Sequence, residues 1–210
     1  MECLVEHETV GSTACRAPYI DRMKNNPIKP HRSIRLKGYD YTQPGAYFVT
    51  IVTRNRACLF GDVVEGEVRL SNFGEIACRN WQAMGEHFPY TESAVFVIMP
   101  NHVHGIIFIA VEARHAVPLQ SSLESFGKPI SGSIPTIVRS FKSVVSRDIN
   151  ELRQTPGASV WQRNYFEHII RNEESLNRIR QYILDNPARW EFDRENPAAV
   201  NPEAKDAWRG

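Results

Sequence analysis

The order of hydrophobic patterns along the chain is the feature that most limits its fold. Segments rich in β-branched and aromatic residues alternate with segments whose apolar residues recur at helical spacing. These patterns predict a strand, a hairpin, a helix, two adjacent strands, a helix, a short strand and a last helix. Their ranges are 47–53, 58–71, 72–88, 93–99, 104–110, 134–152, 159–170 and 173–186. Apart from the hairpin, this order predicts an α+β fold of the ferredoxin-like, split βαβ type, an antiparallel sheet with helices on one face and a further C-terminal helix.

The length and composition of the chain predict a single domain with tails. A chain of 210 residues with 42% hydrophobic residues can bury one sizeable core. Residues 1–31 lack any helical or strand period and are predicted to form a flexible basic leader. Residues 32–192 are predicted to form the domain, with a surface loop at 112–133, and residues 193–210 a frayed acidic tail.

Charge is unevenly distributed although the formal net charge is only +1. Between Arg22 and Arg56 there are eight basic residues and one acidic residue. Such a segment can bind phosphate groups, and it can equally be a solvated leader.

The four cysteines form no C-x-x-C pair, which argues against a zinc ribbon and favours reduced thiols. No apolar run approaches the roughly 20 residues that a membrane span needs, and the N-terminus lacks the pattern of a signal peptide. We therefore expect a cytoplasmic, nucleoid-associated protein with no membrane partner.

Two histidines at the start of a predicted strand are the first candidate site. His102 and His104 are two residues apart, so the strand directs both imidazoles to one face and Val103 to the other. That arrangement can hold a metal ion between two nitrogen ligands. A pair of histidines in a turn is the ordinary alternative.

A second candidate pair lies on the last predicted helix. Tyr182 and Asn186 are four residues apart and share one helix face. They can supply a nucleophile and a hard oxygen ligand for a magnesium-like ion, or simply a packing residue and a helix end before Pro187. Tyr165 is a competing nucleophile near His168, but the residue four positions after it is Ile169, which cannot bind a metal. The roles of His168 and Arg171 remain open.

Several basic and aromatic side chains are candidates for contact with nucleic acid. Trp161 and Arg163 can stack on and hydrogen-bond to unpaired bases, although Trp161 can equally be a core residue. Arg139 and Lys142, with Arg147, lie along the predicted helix 134–152. They can follow a phosphate backbone or form a solvated face.

Two segments resemble the single-tyrosine HUH transposases. The sequence MPNHVHGII is similar to their histidine–hydrophobic–histidine motif. The sequence WQRNYFEHIIRNEESLNRIRQYILDNP resembles the C-terminal signature of the REP-associated tyrosine transposase branch, with W-Q, then H-x-x-R, then Y-I-x-x-N-P. The resemblance extends from about Ser33 to Trp190, which is nearly all of the predicted domain.

The resemblance implies a metal-dependent DNA strand transferase that acts in DNA transposition. Tyr182 would attack a phosphodiester of single-stranded, hairpin-forming DNA, leaving a 5′-phosphotyrosine link and a free 3′-hydroxyl that can reverse the reaction. His102, His104 and Asn186 would hold a divalent ion, Mg²⁺ or Mn²⁺. No nucleotide cofactor is implied, and both a monomer and a homodimer are compatible with the resemblance.

Two other functions share these features. A replication-initiator or relaxase-like HUH nuclease uses the same chemistry, usually with a third histidine or a longer chain. A catalytically retired DNA-binding protein would keep the fold without cleaving DNA. The intact His102, His104, Tyr182 and Asn186 favour an active strand transferase.

Overall fold

A computed structural model of the chain describes residues 39–110, 130–204 and 208. The predicted leader and most of the predicted loop at 112–133 lie outside these residues. No helix within the described residues is long and apolar enough to cross a membrane.

The described residues form six strands and four α-helices in the predicted order. The strands are β1 (Gly45–Val52), β2 (Gly61–Val64), β3 (Glu67–Leu70), β4 (Thr91–Met99), β5 (His102–Ile109) and β6 (Phe166–Ile170). The helices are α1 (Asn72–Gln82), α2 (Met84–His87), α3 (Ile134–Leu152) and α4 (Glu173–Asp185), with short 3₁₀ helices at Arg54–Arg56 and Pro187–Phe192.

The sheet has the ferredoxin-like arrangement that the sequence predicts. Its strands lie in the order β4, β5, β1, β6, and every neighbouring pair is antiparallel. Strands β2 and β3 form the separate predicted hairpin. The fold class predicted from the hydrophobic patterns is therefore confirmed.

Each face of the sheet packs against different helices. Val49, Ile51 and Val103 belong to the core on the face covered by α1 and α3. Phe48 and Ile106, which alternate with them along the same strands, pack on Ile179 and Ile183 of α4 on the opposite face. The predicted pair of helices shares one face, and the C-terminal helix covers the other.

The segment after residue 192 differs from the predicted frayed tail. Asp193 is 6% exposed, Glu195 accepts a 2.9 Å hydrogen bond from Arg56 Nε, and Glu203 forms an ion pair with Arg189. Trp208 packs on Phe48 with ring centroids 5.9 Å apart. Long-range contacts, which a local pattern of charge and proline does not reveal, hold this segment on the domain.

Candidate active site

The two histidines lie at the start of β5 and face α4. His102 is 0% exposed and His104 is 4% exposed, and their ring centroids are 4.4 Å apart. Val103, between them, points into the core beneath α1 and α3. The strand thus directs both imidazoles to one face, as the spacing predicts.

The Nδ1 atom of each imidazole is engaged by a neighbouring polar side chain. Nδ1 of His102 lies 2.8 Å from Oδ1 of Asn101, and Nδ1 of His104 lies 2.8 Å from Oγ1 of Thr50. Both Nε2 atoms are left on the side where α4 and the following segment pack. Metal-binding histidines commonly use one ring nitrogen for an oxygen partner in this way.

Helix α4 brings the tyrosine to these histidines. It begins after Asn172, whose side chain accepts a 2.8 Å hydrogen bond from the Ser175 amide, and Ile179 and Ile183 anchor it on the sheet. The hydroxyl of Tyr182 then lies 3.5 Å from Nε2 of His104. Burial, followed by the nearby carboxylates of Asp193 and Glu203, raises the pKa of this hydroxyl. The phenol is therefore protonated at neutral pH in the arrangement described.

Two oxygen-bearing residues complete the cluster. Asn186 ends α4 and is 3% exposed, and its Oδ1 is buried without a hydrogen bond. Its side chain affects the pKa of both His102 and Tyr182, which places it against both groups. One ligand atom each from His102, His104 and Asp193 lie within 4.8 Å of one another. Sequence analysis places Asn186 in the candidate ligand set and omits Asp193.

The protonation states within this cluster favour a bound cation. Burial lowers the pKa of His102 to about 3, and burial followed by the neighbouring His102 lowers that of His104. His102 is therefore neutral, and its Nε2, which has no hydrogen-bond partner, lies 3.7 Å from Oδ2 of Asp193. With the imidazole hydrogen at Nδ1, the Nε2 lone pair and the Asp193 carboxylate would repel each other across this gap, and a divalent cation between them would remove the repulsion. The donor set of imidazole, amide and carboxylate suits such an ion.

Comparisons with known proteins agree with this geometry. No family model matches the chain. An uncharacterised protein of Haemophilus influenzae is 40% identical over 173 residues, which cover 81% of this chain and 95% of that protein. A second H. influenzae protein, described as a "putative REP-associated tyrosine transposase", is 26% identical over 178 residues, 78% of this chain and 89% of its own length.

A solved structure of a REP-associated tyrosine transposase bound to a REP hairpin shares the fold. Its TM-score is 0.51 at 18% identity, and the match covers 78% of this chain and 74% of that one. The chain is thus similar in fold to this transposase and similar in sequence to the putative REP-associated tyrosine transposase of H. influenzae.

The competing tyrosine lies on the other side of the sheet. Tyr165 packs against the core beneath α1 and α3, whereas Tyr182 packs with the cluster beneath α4. The histidines face α4, so of the two tyrosines only Tyr182 shares their face. The geometry favours Tyr182 over Tyr165 as the candidate nucleophile.

Two of the four predicted DNA-contact residues have structural positions instead. Trp161 is 6% exposed and its Nε1 donates a 3.1 Å hydrogen bond to the Lys142 carbonyl, so its ring is not available to stack on a base. Nζ of Lys142 donates to the carbonyls of Gln162, Arg163 and Asn164 at 2.6, 3.3 and 3.5 Å. These three bonds use all three ammonium donors, and burial lowers the pKa of Lys142 to about 8.

Arg139 and Arg163 remain available at the surface. Both are exposed and line an open groove of about 330 Å³ between α3 and residues 159–163. Three serines also line this groove, and none of its described lining residues is acidic. The groove borders the end of β1, because the amide of Gln162 donates to the carbonyl of Val52.

Asp193 is the functional candidate that sequence analysis missed. It lies seven residues beyond Asn186 and just after the 3₁₀ helix Pro187–Phe192, whose Trp190 ring lies 6.1 Å from that of His102. The only local signal is that two aromatic residues, Trp190 and Phe192, precede it in a segment that is otherwise polar. Its approach to His102 spans 91 positions in the chain and has no local pattern.

Proposed function

We propose that this protein is a metal-dependent DNA strand transferase that cleaves and rejoins single-stranded, hairpin-forming DNA through Tyr182. The proposal rests on one observation: the Tyr182 hydroxyl, both imidazole Nε2 atoms, Asn186 and Asp193 converge on one face of the sheet. Sequence similarity to a putative REP-associated tyrosine transposase and a fold shared with a hairpin-bound transposase support DNA as the substrate.

The reaction would exchange one phosphodiester for another. The Tyr182 oxygen attacks the phosphorus, a bond forms between them, and the bond from phosphorus to the 3′-oxygen breaks. The products are a 5′-phosphotyrosine and a 3′-hydroxyl, which carries the proton that the phenol loses. Attack by a 3′-hydroxyl on the phosphotyrosine reverses these changes, so no nucleotide cofactor is consumed.

The residues that would hold the ion are His102 and His104 through Nε2, with Asn186 and Asp193 through oxygen. When bound, Mg²⁺ or Mn²⁺ would polarise a non-bridging phosphate oxygen and offset the charge that develops during attack. Tyr182 is held for attack by its contact with His104 and by edge-on packing against Phe48, with ring centroids 6.2 Å apart. Asn101 and Thr50 hold the two imidazole rings from behind.

Arg139 and Arg163 are the proposed DNA contacts outside the reaction centre. They lie beside the end of β1, where Val52 is paired with His102 on the neighbouring strand. A strand of DNA that leaves the reaction centre across this end of the sheet would meet two exposed guanidinium groups and several hydroxyls. Such contacts bind phosphate without reading sequence.

The test is the formation of a covalent complex with labelled hairpin DNA in the presence of Mn²⁺. We expect an adduct with the wild type and with Tyr165→Phe, and none with Tyr182→Phe. Tyr165→Phe is the matched control because it also removes a tyrosine hydroxyl, but on the opposite face of the sheet.

An adduct with Tyr182→Phe contradicts the assigned nucleophile, and normal cleavage by a His102→Ala, His104→Ala double variant contradicts the metal centre. Tight binding of the hairpin without cleavage by the wild type would instead favour a retired DNA-binding protein.

A further inference from the structure

The side chain of Asn101 is buried and makes three hydrogen bonds to three different parts of the chain. Its Nδ2 donates to the carbonyls of Arg56 at 3.1 Å and Glu195 at 2.7 Å. Its Oδ1 lies 2.8 Å from Nδ1 of His102. The residue is 0% exposed, so its side chain bonds to these protein groups and not to bulk solvent.

These bonds determine which way the Asn101 amide points. Both carbonyl oxygens are acceptors, so the group that faces them must be the NH₂. The opposite orientation would place Oδ1 against two carbonyl oxygens and give the amide hydrogens at most one acceptor, Nδ1 of His102. Oδ1 therefore faces His102, and because it can only accept, His102 Nδ1 must carry the hydrogen.

The tautomer of His102 follows from this orientation. A neutral imidazole carries one N–H, and in His102 that N–H is at Nδ1. The lone pair is therefore at Nε2, the atom that faces Asp193. His104 differs, because the Thr50 hydroxyl can donate to its Nδ1 as well as accept from it.

The other two bonds connect His102 to the segment that carries Asp193. Asn101 binds the carbonyl of Glu195, two residues beyond Asp193, and the Glu195 side chain pairs with Arg56. The Arg56 carbonyl is the second acceptor of the Asn101 amide. One side chain thus orients the histidine and holds the C-terminal segment in place.

We propose that Asn101 is a positioning residue that fixes the Nδ1–H tautomer of His102 and docks the segment bearing Asp193, so that both ligands face the same point. This inference rests on the metal centre of the proposed function. It does not require that the protein cleave DNA, because tautomer, docking and metal binding are each measurable without a DNA substrate.

The first test uses the unaltered protein. The nitrogen NMR spectrum of the ¹⁵N-labelled full chain at neutral pH, without metal, should show His102 protonated at Nδ1 only. The signal is assigned by its loss in His102→Gln. A spectrum with the proton at Nε2 overturns the proposal whatever any variant does.

Two variants then separate the two roles of Asn101. Asn101→Leu removes every hydrogen bond of the side chain, whereas Asn101→Asp keeps an acceptor for His102 and removes the donors to both carbonyls. We expect a mixture of His102 tautomers only in Asn101→Leu. We expect faster amide hydrogen exchange over residues 193–203 in both variants. Unchanged exchange in Asn101→Asp contradicts the docking role, even if Asn101→Leu fails to fold.

Metal affinity supplies the third readout. Loss of a group that orients a ligand typically weakens metal binding about 10- to 100-fold, and we expect a loss of this size for Mn²⁺ in Asn101→Leu by calorimetry. Thr53→Val is the matched control, because it removes a partly buried hydrogen bond to the Ala57 carbonyl in the turn that contains Arg56, without touching a histidine. Equal Mn²⁺ affinities in the wild type and a folded Asn101→Leu overturn the proposal. Wild type that binds Mn²⁺ but never forms a DNA adduct contradicts the proposed function alone.

Discussion

At the scale of single residues, the candidate site is a cluster of buried polar atoms with incomplete hydrogen bonding. His102 Nε2 and Asn186 Oδ1 are both buried without a hydrogen-bond partner. Buried polar groups are usually paired, and each exception costs free energy of folding. These costs are concentrated where His102, Asn186 and Asp193 meet. Such a concentration is typical of a functional site and unusual in a core.

The buried imidazoles make the stability of the metal-free protein depend on pH. Their pKa values are lower in the folded state than the unperturbed value of 6.5, with His102 at about 3. Below pH 6.5 the unfolded chain therefore binds protons that the folded chain does not. We expect the free energy of unfolding to fall between about pH 6.5 and 3, by up to about 1.4 kcal/mol per pH unit for each histidine.

Urea unfolding at a series of pH values measures this dependence. His102→Gln should flatten the slope, because it removes one of the two groups. His87→Gln, at an exposed position in α2, should leave the slope as it is in the wild type. A wild-type stability that does not change between pH 7 and pH 4 would contradict the burial of neutral imidazoles.

At the scale of the elements, patterns within short segments predict most of the fold. The predicted and observed bounds of α3 are identical, and α1 begins at the predicted residue, after Ser71, whose side chain accepts a hydrogen bond from the Gly74 amide. The hydrogen-bonded strand β6 covers only Phe166–Ile170 of the predicted 159–170, because the chain before it makes a single bridge between Thr53 and Trp161. Periodicity reports which face of an element is apolar, so it locates strands and helices well.

The same patterns are uninformative where contacts between distant segments decide the structure. Asp193 is buried by segments far away in sequence, and its own neighbourhood is polar and contains prolines. Lys142 and Trp161 are amphipathic side chains whose polar atoms bond to backbone groups, which sequence alone does not distinguish from exposure to DNA. The histidine pair and Tyr182 lie on one face of the sheet because regular spacing places each on a definite face, and their roles stay predictions.

Helix α1 packs closely against strand β5 at a glycine, Gly105. A Cβ on Gly105, between His104 and Ile106, would lie 2.2 Å from Cζ2 of Trp81, which is fully buried in the core. Gly105→Ala therefore forces the indole or the strand to move, and we expect it to destabilise the fold by about 1 to 3 kcal/mol. Chemical denaturation measures the change.

Gly85→Ala is the control for this substitution. Its Cβ would meet only the Thr91 carbonyl oxygen at 3.4 Å, an ordinary contact. We expect the free energy of unfolding to change by no more than about 0.5 kcal/mol, in either direction, as for most substitutions away from special contacts. Equal effects of the two substitutions would show that Trp81 does not pack against β5 as described.

The segment after α4 is expected to contribute to metal binding. Asp193→Asn removes the negative charge next to His102 and leaves the shape of the side chain unchanged. We expect Mn²⁺ affinity to fall by about tenfold or more. The loss should be at least as large as that caused by removing a residue that only orients a metal ligand. Asp185→Asn makes the same chemical change at the end of α4, where the carboxylate accepts a hydrogen bond from Gln181, and should leave the affinity unaltered. Equal calorimetric affinities for both variants would remove Asp193 from the ligand set.

At the scale of the whole molecule, charge is arranged around one end of the sheet. The groove with Arg139 and Arg163 and the candidate metal site lie on opposite faces near the adjoining ends of β1 and β5. A single DNA strand can contact both by crossing that end. Binding at the groove would add affinity without altering the reaction centre.

The salt dependence of DNA binding tests this arrangement. Each phosphate contact to a single strand contributes about −0.7 to the slope of log K against log salt concentration. The double variant Arg139→Ala, Arg163→Ala should therefore have a slope shallower by about 1.4, measured by fluorescence anisotropy with labelled DNA. Arg147→Ala, on the same helix but paired with Asp148 at 2.9 Å, is the control and should change the slope much less. Equal slopes for all three proteins would exclude the groove from the DNA path.

The short connection between β4 and β5 has a consequence for the order in which the site is assembled. These strands form a local hairpin, so His102 and His104 come together through contacts between near neighbours in the chain, which close faster than distant ones. Tyr182 and Asp193 are translated some 80 to 90 residues later and join only when the C-terminal helix docks. A nascent chain therefore presents the candidate metal-binding histidines before the proposed nucleophile exists. We expect prematurely terminated chains that end before α4 to hold metal weakly and to leave DNA intact.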